Sequence, residues 1–578
     1  MHQPNIQPHP SSYFPYEIYP FMRPADMEAS AAARHAVVIV GAGPVGLVLA
    51  IQLALQGVKP VLIEAEAQVS GGSRALALTR RSMEIMEQCG VVPQFLTEAI
   101  VWNEGRSYFR HTVVHHLEIA SCDDDKHAPM TNLAQCWIEK FLVDRARALG
   151  VDLRFQTRLE ALETGPEGVT LTLDTPEGEY VIEAGWVAAC DGARSATRRL
   201  QNLRFEGQSF ESRFVIADFN ISLDEPPGRR CYFEPPWLPG HAALLHKAPR
   251  GVWRLDYQIP EGISDDEALD EARIRSHIQA HLDYIGVDLP WTLEWTTLYK
   301  PNTLTLARYN HGRVMYCGDA AHLLPVFGVR GLNTGIQDAV NLAWKLAAVV
   351  QGHARAELLD TFSGERVADA KQICFEAARS TRMMAPPTRG FRILQQAVLS
   401  LSLENEFTRG LLHWRTSHPM DYAGSPLSCP DVEGQGFSDG PTPGAPPRNV
   451  RLQQVSGSAK GWLLDAVRPA FNVLVFGDDM RMWAHALEDV CAARERGLNV
   501  QLIAVRTDSV RPPGADAVVE DGAGRAHALW GADDGAVYVL RPDLHVGARW
   551  KVGADTRVAR VLGQLLLHQL RVAEPVYD

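Results

Sequence analysis

The sequence predicts an α/β protein with three parts in one chain. These are a parallel sheet flanked by helices, a mostly antiparallel sheet inserted into it, and a second, smaller α/β unit. Three observations carry this reading. A buried strand, a glycine turn and an apolar helix follow one another from His35 to Gly57. Between Asp191-Gly192 and Gly318-Asp319 the texture changes to short β-branched and aromatic runs separated by turns. From Ser425 to Pro447 the chain is a Pro/Gly-rich linker, and strand–helix alternation resumes after it. A chain of 578 residues also exceeds what one core supports, about 250–300 residues.

The first 34 residues contain the aromatic, Pro-rich run SSYFPYEIYPFMRPAD. It lacks the basic start and apolar core of a signal peptide and is expected to be an extended arm packed on the body. HAVVIV is then a buried strand, and GAGPVG places Gly41, Gly43 and Gly46 in G-x-G-x-x-G spacing around Pro44 and Val45. Gly41 permits the tight turn, Gly43 lets a pyrophosphate approach the backbone, and Gly46 lets helix and strand pack closely. The helix start offers N–H groups and partial positive charge to phosphates. The next strand, PVLIEAE, delivers Glu64, an acceptor for a ribose hydroxyl. Ala36 to Leu55 is close to membrane-spanning length, but these glycines explain it better, and no membrane span is expected. Dinucleotide binding follows; the motif alone does not separate FAD from NAD.

Two later motifs favour a flavin. WVAACDGARSATRR brings a strand to Asp191-Gly192, followed by Ser195 and Arg198. VMYCGDAAHLLPVFGVRGLNTG brings another to Gly318-Asp319, then a tight loop and a long helix. An acid at a strand's end suits a polyhydroxylated ribityl chain, although Asp319 could also serve only as a helix cap. The helix start at Gly331, Leu332 and Asn333, with Arg330 beside it, would stabilise negative charge on a reduced flavin ring.

The three motifs in this order resemble the class A flavoprotein monooxygenases, the single-component aromatic hydroxylases related to para-hydroxybenzoate and phenol hydroxylase. GGSRALALTRRSMEIM, LAQCWIEKFLVDRA and LLDTFSGERVADA extend the resemblance to about residue 380. The loop FGVRG departs from the GGQG of many relatives. The resemblance implies a Rossmann-type FAD-binding domain (35–205 and 306–424), an inserted substrate sheet (206–305) and, past a linker (425–447), a thioredoxin-like domain (448–578). It places Arg74, Arg81 and Gln135 beside the cofactor. It implies non-covalent FAD, NAD(P)H as a transient co-substrate, and oxygen activated as a flavin C4a-hydroperoxide that hydroxylates a phenolic small molecule.

Three residues are candidates for the chemistry. His246, in ALLHKA, is expected to face the pocket and to accept or orient a phenolic proton, unless it is a satisfied sheet histidine. Arg254, in VWRLDYQ, falls where the family places an arginine near the flavin, unless it is a surface ion pair. Pro325 is expected to shape the space near C4a, and His322 to order the loop. The C-terminal unit has no CxxC, so a structural or homodimer role suits it better than thiol chemistry. A net charge of −13 argues against a nucleic-acid partner, and nine scattered cysteines argue for a cytoplasmic location and no metal site. A halogenase or reductase of the same fold, or a non-catalytic flavin scaffold, remain alternatives.

Overall fold

The computed structural model describes residues 1–412, 419–431, 436–437, 439–452, 454–455, 461–533 and 535–567. Parts of the linker (432–435 and 438) and of the expected last helix (568–570) therefore lie outside the described residues.

The strand Ala33–Val40 is the centre of the first sheet. It runs parallel to Gly178–Ala189 on one side and Val61–Ile63 on the other, with Val314–Tyr316 and Asp152–Arg154 as the next parallel neighbours. Val37, Val38 and Ile39 are fully buried, as parallel strands require when helices cover both faces. The helix Pro44–Leu55 packs against Gln135–Ala148 and Gly331–Val350. Packing on two sides explains why its sequence is apolar nearly all round. No helix among the described residues is long and apolar enough to cross a membrane.

The second sheet has seven strands in the order 291–299, 214–221, 252–258, 242–247, 229–233, 104–109 and 112–118. Its last two strands come from a segment assigned in the sequence to the first part of the FAD-binding domain. Glu104–Phe109 joins by pairing parallel with Arg229–Phe233, a long-range contact that no local pattern announces. One face of this sheet covers Ile274, Ile278 and Leu282 of the helix Glu271–Tyr284. The other face turns to the first domain, where Phe214, Phe233 and Leu244 cluster with Phe327 and Met384.

The C-terminal unit is a mixed sheet. Phe471–Phe476, Val500–Arg506 and Ala517–Glu520 are parallel, and Ala536–Leu540 and Val546–Lys551 form an antiparallel hairpin. The helices Met480–Glu495 and Val558–Leu565 share an apolar cluster that also takes in Trp344 and Leu358 of the first domain. The N-terminal arm is extended apart from one turn at Ala25–Glu28. It buries Tyr13, Phe14, Tyr16 and Tyr19, and the Tyr16 hydroxyl accepts the Gly72 N–H at 2.8 Å.

Candidate functional site

The glycine loop has the geometry its spacing predicts. A Cβ on Gly46 would stand 2.0 Å from the Gly41 carbonyl oxygen, and one on Gly41 would stand 2.6 Å from the Cys190 carbonyl oxygen. Gly41 also has φ +103°, a region that favours glycine. A Cβ on Gly43 would meet nothing within 4 Å, so this residue faces open space at the start of the helix. Val45 closes the other side, 2.7 Å from where a Gly335 Cβ would lie. Glu64 reaches back to the loop: its carboxylate accepts the Ala42 N–H at 2.7 Å and the Glu66 N–H at 3.0 Å.

Asp191 and Asp319 end neighbouring parallel strands. One carboxylate oxygen of Asp191 accepts from the Thr197 N–H and hydroxyl, both at 2.9 Å, while its Oδ1 is buried without a partner among the described residues. Gly192 makes the turn with φ +73°. Ser195 caps the short helix that follows, and Arg198 donates to the Ala320 carbonyl at 3.2 Å, tying this motif to the next. The Asp319 side chain is exposed in the cleft, and no hydrogen bond from a described group reaches it. Its Oδ1 lies 4.0 Å from where a Gly331 Cβ would be, at the first turn of the long helix. Crowding pushes its pKa upward, the charges of His322 and Arg74 oppose this, and its open surface limits the push. The N–H groups of Gly331, Leu332 and Asn333 precede the first intrahelical bond, from Thr334 N–H to the Arg330 carbonyl.

These atoms suit an FAD. The cleft presents an open glycine, an orphaned buried carboxylate oxygen, a carboxylate that no protein donor satisfies, and an anion-favouring helix start. Other residues expected beside the cofactor are spent elsewhere. Arg81 is buried, and its guanidinium donates to the Asp543 and Leu544 carbonyls of the C-terminal unit at 3.0 and 2.6 Å. It is an inter-domain bolt. Arg330 is likewise buried and meets Glu376 at 3.3 Å. The Asn333 side chain links the helix to Thr79, Ser82 and the Ala77 carbonyl, leaving only its backbone for a ligand. Gln135 holds the 70–75 loop through the Ala75 N–H and Glu139. Arg74, with φ 38°, stays exposed. Pro325 is buried in the loop, and the next N–H, of Val326, donates to the Tyr299 hydroxyl at 3.0 Å.

His322 orders the loop as expected. Its Nε2 meets Asp338 at 2.7 Å, and Asp338 also accepts the Gly318 N–H at 2.9 Å and Arg366 Nε at 2.6 Å. Sequence reasoning missed Asp338 and Arg366, which sit inside ordinary amphipathic helix patterns.

The sheet wall carries a row of charge. Arg229, His246, Arg254 and Asp218 lie opposite one another on adjacent strands, so their side chains share one face. That face is the one toward the cleft, because Arg254 donates to the Arg74 carbonyl at 2.6 Å and to Ser73 Oγ. Asp218 meets Arg254 Nε at 2.8 Å and also accepts from Ser73. Arg254 is thus a latch between sheet and cofactor loop rather than a surface ion pair. Burial and the flanking charges of Arg229 and Arg254 hold the His246 pKa well below 6.5. At neutral pH the ring is uncharged and a weak base, better suited to orient a hydroxyl than to store its proton. Asp256, two residues past Arg254 and therefore on the same face, was missed. The signal was present as a period of two in VWRLDYQ.

Comparison with known proteins gives the family and the fold. Residues 34–377 match the family described as FAD binding domain. A 12-dehydrotetracycline 5-monooxygenase/anhydrotetracycline 6-monooxygenase of Streptomyces rimosus is 32% identical over 66% of this chain and 76% of its own length. A 3-(3-hydroxy-phenyl)propionate/3-hydroxycinnamic acid hydroxylase of Mycolicibacterium smegmatis is 28% identical over 90% of each chain. The crystal structure of aklavinone-11 hydroxylase with FAD and aklavinone shares the fold, with a TM-score of 0.73 at 23% identity over 93% of this chain and all of that one.

Proposed function

The chain belongs to the FAD binding domain family, and on that premise we propose how it works as an FAD-dependent monooxygenase that hydroxylates an aromatic small molecule. The observation that carries the reading is the placement of Asp319 at the first turn of the helix Gly331–Val350 together with a charged sheet face that Arg254 ties to the 73–74 loop. It offers a flavin site on one side and a polar wall on the other. When bound, FAD supplies the activation of oxygen, with NAD(P)H as the proposed reductant.

The residues of this chain bind and orient. Gly41, Gly43 and Gly46 would hold the pyrophosphate, Glu64 the adenosine ribose, and Asp191 and Asp319 the ribityl end. The first turn of the helix Gly331–Val350 would favour negative charge on the ring. Arg254, latched by Asp218 and Ser73, holds the sheet against the cofactor loop, and Pro325 shapes the loop that faces it. His246 offers a neutral ring to a substrate hydroxyl. All nine cysteines are free thiols, which supports a reducing, cytoplasmic setting. A homodimer belongs to the same proposal. Its support is the helix Arg389–Leu401, which leaves Ile393 and Leu394 more than half exposed.

The test is NAD(P)H oxidation, oxygen uptake and product mass with a panel of phenols. A product heavier by one oxygen, formed with stimulated oxygen uptake, is expected. A protein that takes up no FAD, or that no aromatic compound stimulates, overturns the reading.

A further inference from the structure

We propose that Asp256 is the group that takes the hydroxyl proton of the aromatic substrate. This deepens the hydroxylase reading and rests on it. Asp256 stands directly opposite Leu244, whose side chain packs with Phe327 and Met384 on the cleft side of the sheet. Its carboxylate therefore points to that side, and it is 7% exposed. Its Oδ1 is buried with no partner among the described residues, while its Oδ2 lies 3.8 Å from His246 Nε2. A buried carboxyl oxygen without a donor is costly, and a catalytic role is one of the few reasons a fold keeps one.

The groups around it are Arg229 and Cys231 on one strand, His246 on the next, Arg254 on its own strand, Asp218 on the strand beyond, and Arg330 facing Arg229 from the loop. Burial pushes the Asp256 pKa up, Arg254 and Arg229 only partly offset this, and the repulsion of Asp218 adds to it, so it reaches about 7. His246 is held neutral by the same two arginines. Asp256 is therefore the group on this wall suited to take a proton near neutrality. The phenolic O–H bond breaks and a carboxyl O–H bond forms on Oδ1. The negative charge moves from carboxylate to phenolate, where the two guanidiniums face it.

The experiment uses the FAD-loaded full chain and phenols of graded acidity, from 3-(3-hydroxyphenyl)propionate to 4-nitrophenol. Asp256→Asn should slow product formation by about 10²-fold to 10⁴-fold for weakly acidic phenols and progressively less for phenols already ionised. Asp256→Glu should restore part of the rate, and Asp256→Ser repeats the test if the first variant does not fold. A second readout needs no turnover: the wild-type melting temperature should fall as pH rises through about 7, and that dependence should vanish in Asp256→Asn. A loss equal for all phenols, unchanged rates, or identical pH-melting curves would each overturn the assignment. A wild type stimulated by no phenol would instead remove the hydroxylase reading beneath it.

Discussion

Two buried charge clusters, one at the seam with the C-terminal unit and one on the sheet wall, differ in how completely they are satisfied. At the seam Glu365 accepts from Arg541 at 2.8 and 2.9 Å, from Lys345 at 2.7 Å, from Asn341 at 2.7 Å and from Ser425 at 2.6 Å. Asp543 accepts from Arg541 at 2.5 Å, Trp344 at 3.0 Å and Asn341 at 3.2 Å. Burial alone would raise the pKa of both acids, but Arg541 with its neighbours holds both well below the carboxylate range. On the wall Asp256 has arginines near it, yet one oxygen has no partner among the described residues and its pKa goes the other way. A closed network holds two domains together. An incomplete one keeps an acid near neutrality and leaves room for a substrate to complete it.

The largest expected effect breaks the seam. Arg541→Met takes the guanidinium from both Asp543 and Glu365, leaving Glu365 only Lys345 as a charged partner, and should cost about 3–5 kcal/mol of stability by denaturant titration. A loss under about 1 kcal/mol would show that the seam holds no charge worth pairing.

The wall should respond in the opposite direction. A carboxyl whose pKa is raised in the fold is protonated there, so its stability is present below the ordinary carboxylate range and lost as pH rises through about 7. Asp256→Asn removes that loss and should stabilise the protein by about 2–4 kcal/mol at pH 8, with little change near pH 4. For Glu365, held low, stability is present at neutral pH and lost as pH falls below the carboxylate range. Melting curves of wild type and variant across pH 4 to 8 separate the two clusters. Destabilisation of Asp256→Asn at pH 8 would erase the contrast.

A third region, the cofactor cleft, lies between these extremes. If Asp319 accepts a charge-assisted hydrogen bond from the bound cofactor, as proposed, Asp319→Ala removes about 1.5–3 kcal/mol, so FAD affinity should fall by about tenfold to 150-fold with the fold retained. Fluorescence titration of apoprotein with FAD measures it; unchanged affinity would make Asp319 a helix cap only. The smallest effect sets the baseline for both clusters. The exposed pair Arg275–Glu271 meets at 2.7 Å on a helix surface, and Arg275→Ala should change stability by no more than about 0.5 kcal/mol. A larger change would mean that exposure does not weaken ion pairs here as assumed.

By itself the sequence determined everything that local chemistry encodes. The glycine spacing and the strand before it specify a turn, because a Cβ at Gly46 would collide with the Gly41 carbonyl of the same loop. Asp191 and Asp319 end their strands as read, since an apolar run that stops at Asp-Gly or Gly-Asp stops for any fold. Tertiary structure decided where long side chains end. Arg81 and Arg330 can swing several ångströms, so their neighbours in sequence say little about their partners, which are the Asp543 and Leu544 carbonyls for Arg81 and Glu376 for Arg330. It also decided that residues 104–118 complete the seven-stranded sheet, since strand pairing across more than a hundred residues is chosen by packing. The titration of His246 and Asp256 belongs to the same class. Each pKa depends on burial and on charges that four different strands bring together, which no stretch of sequence contains.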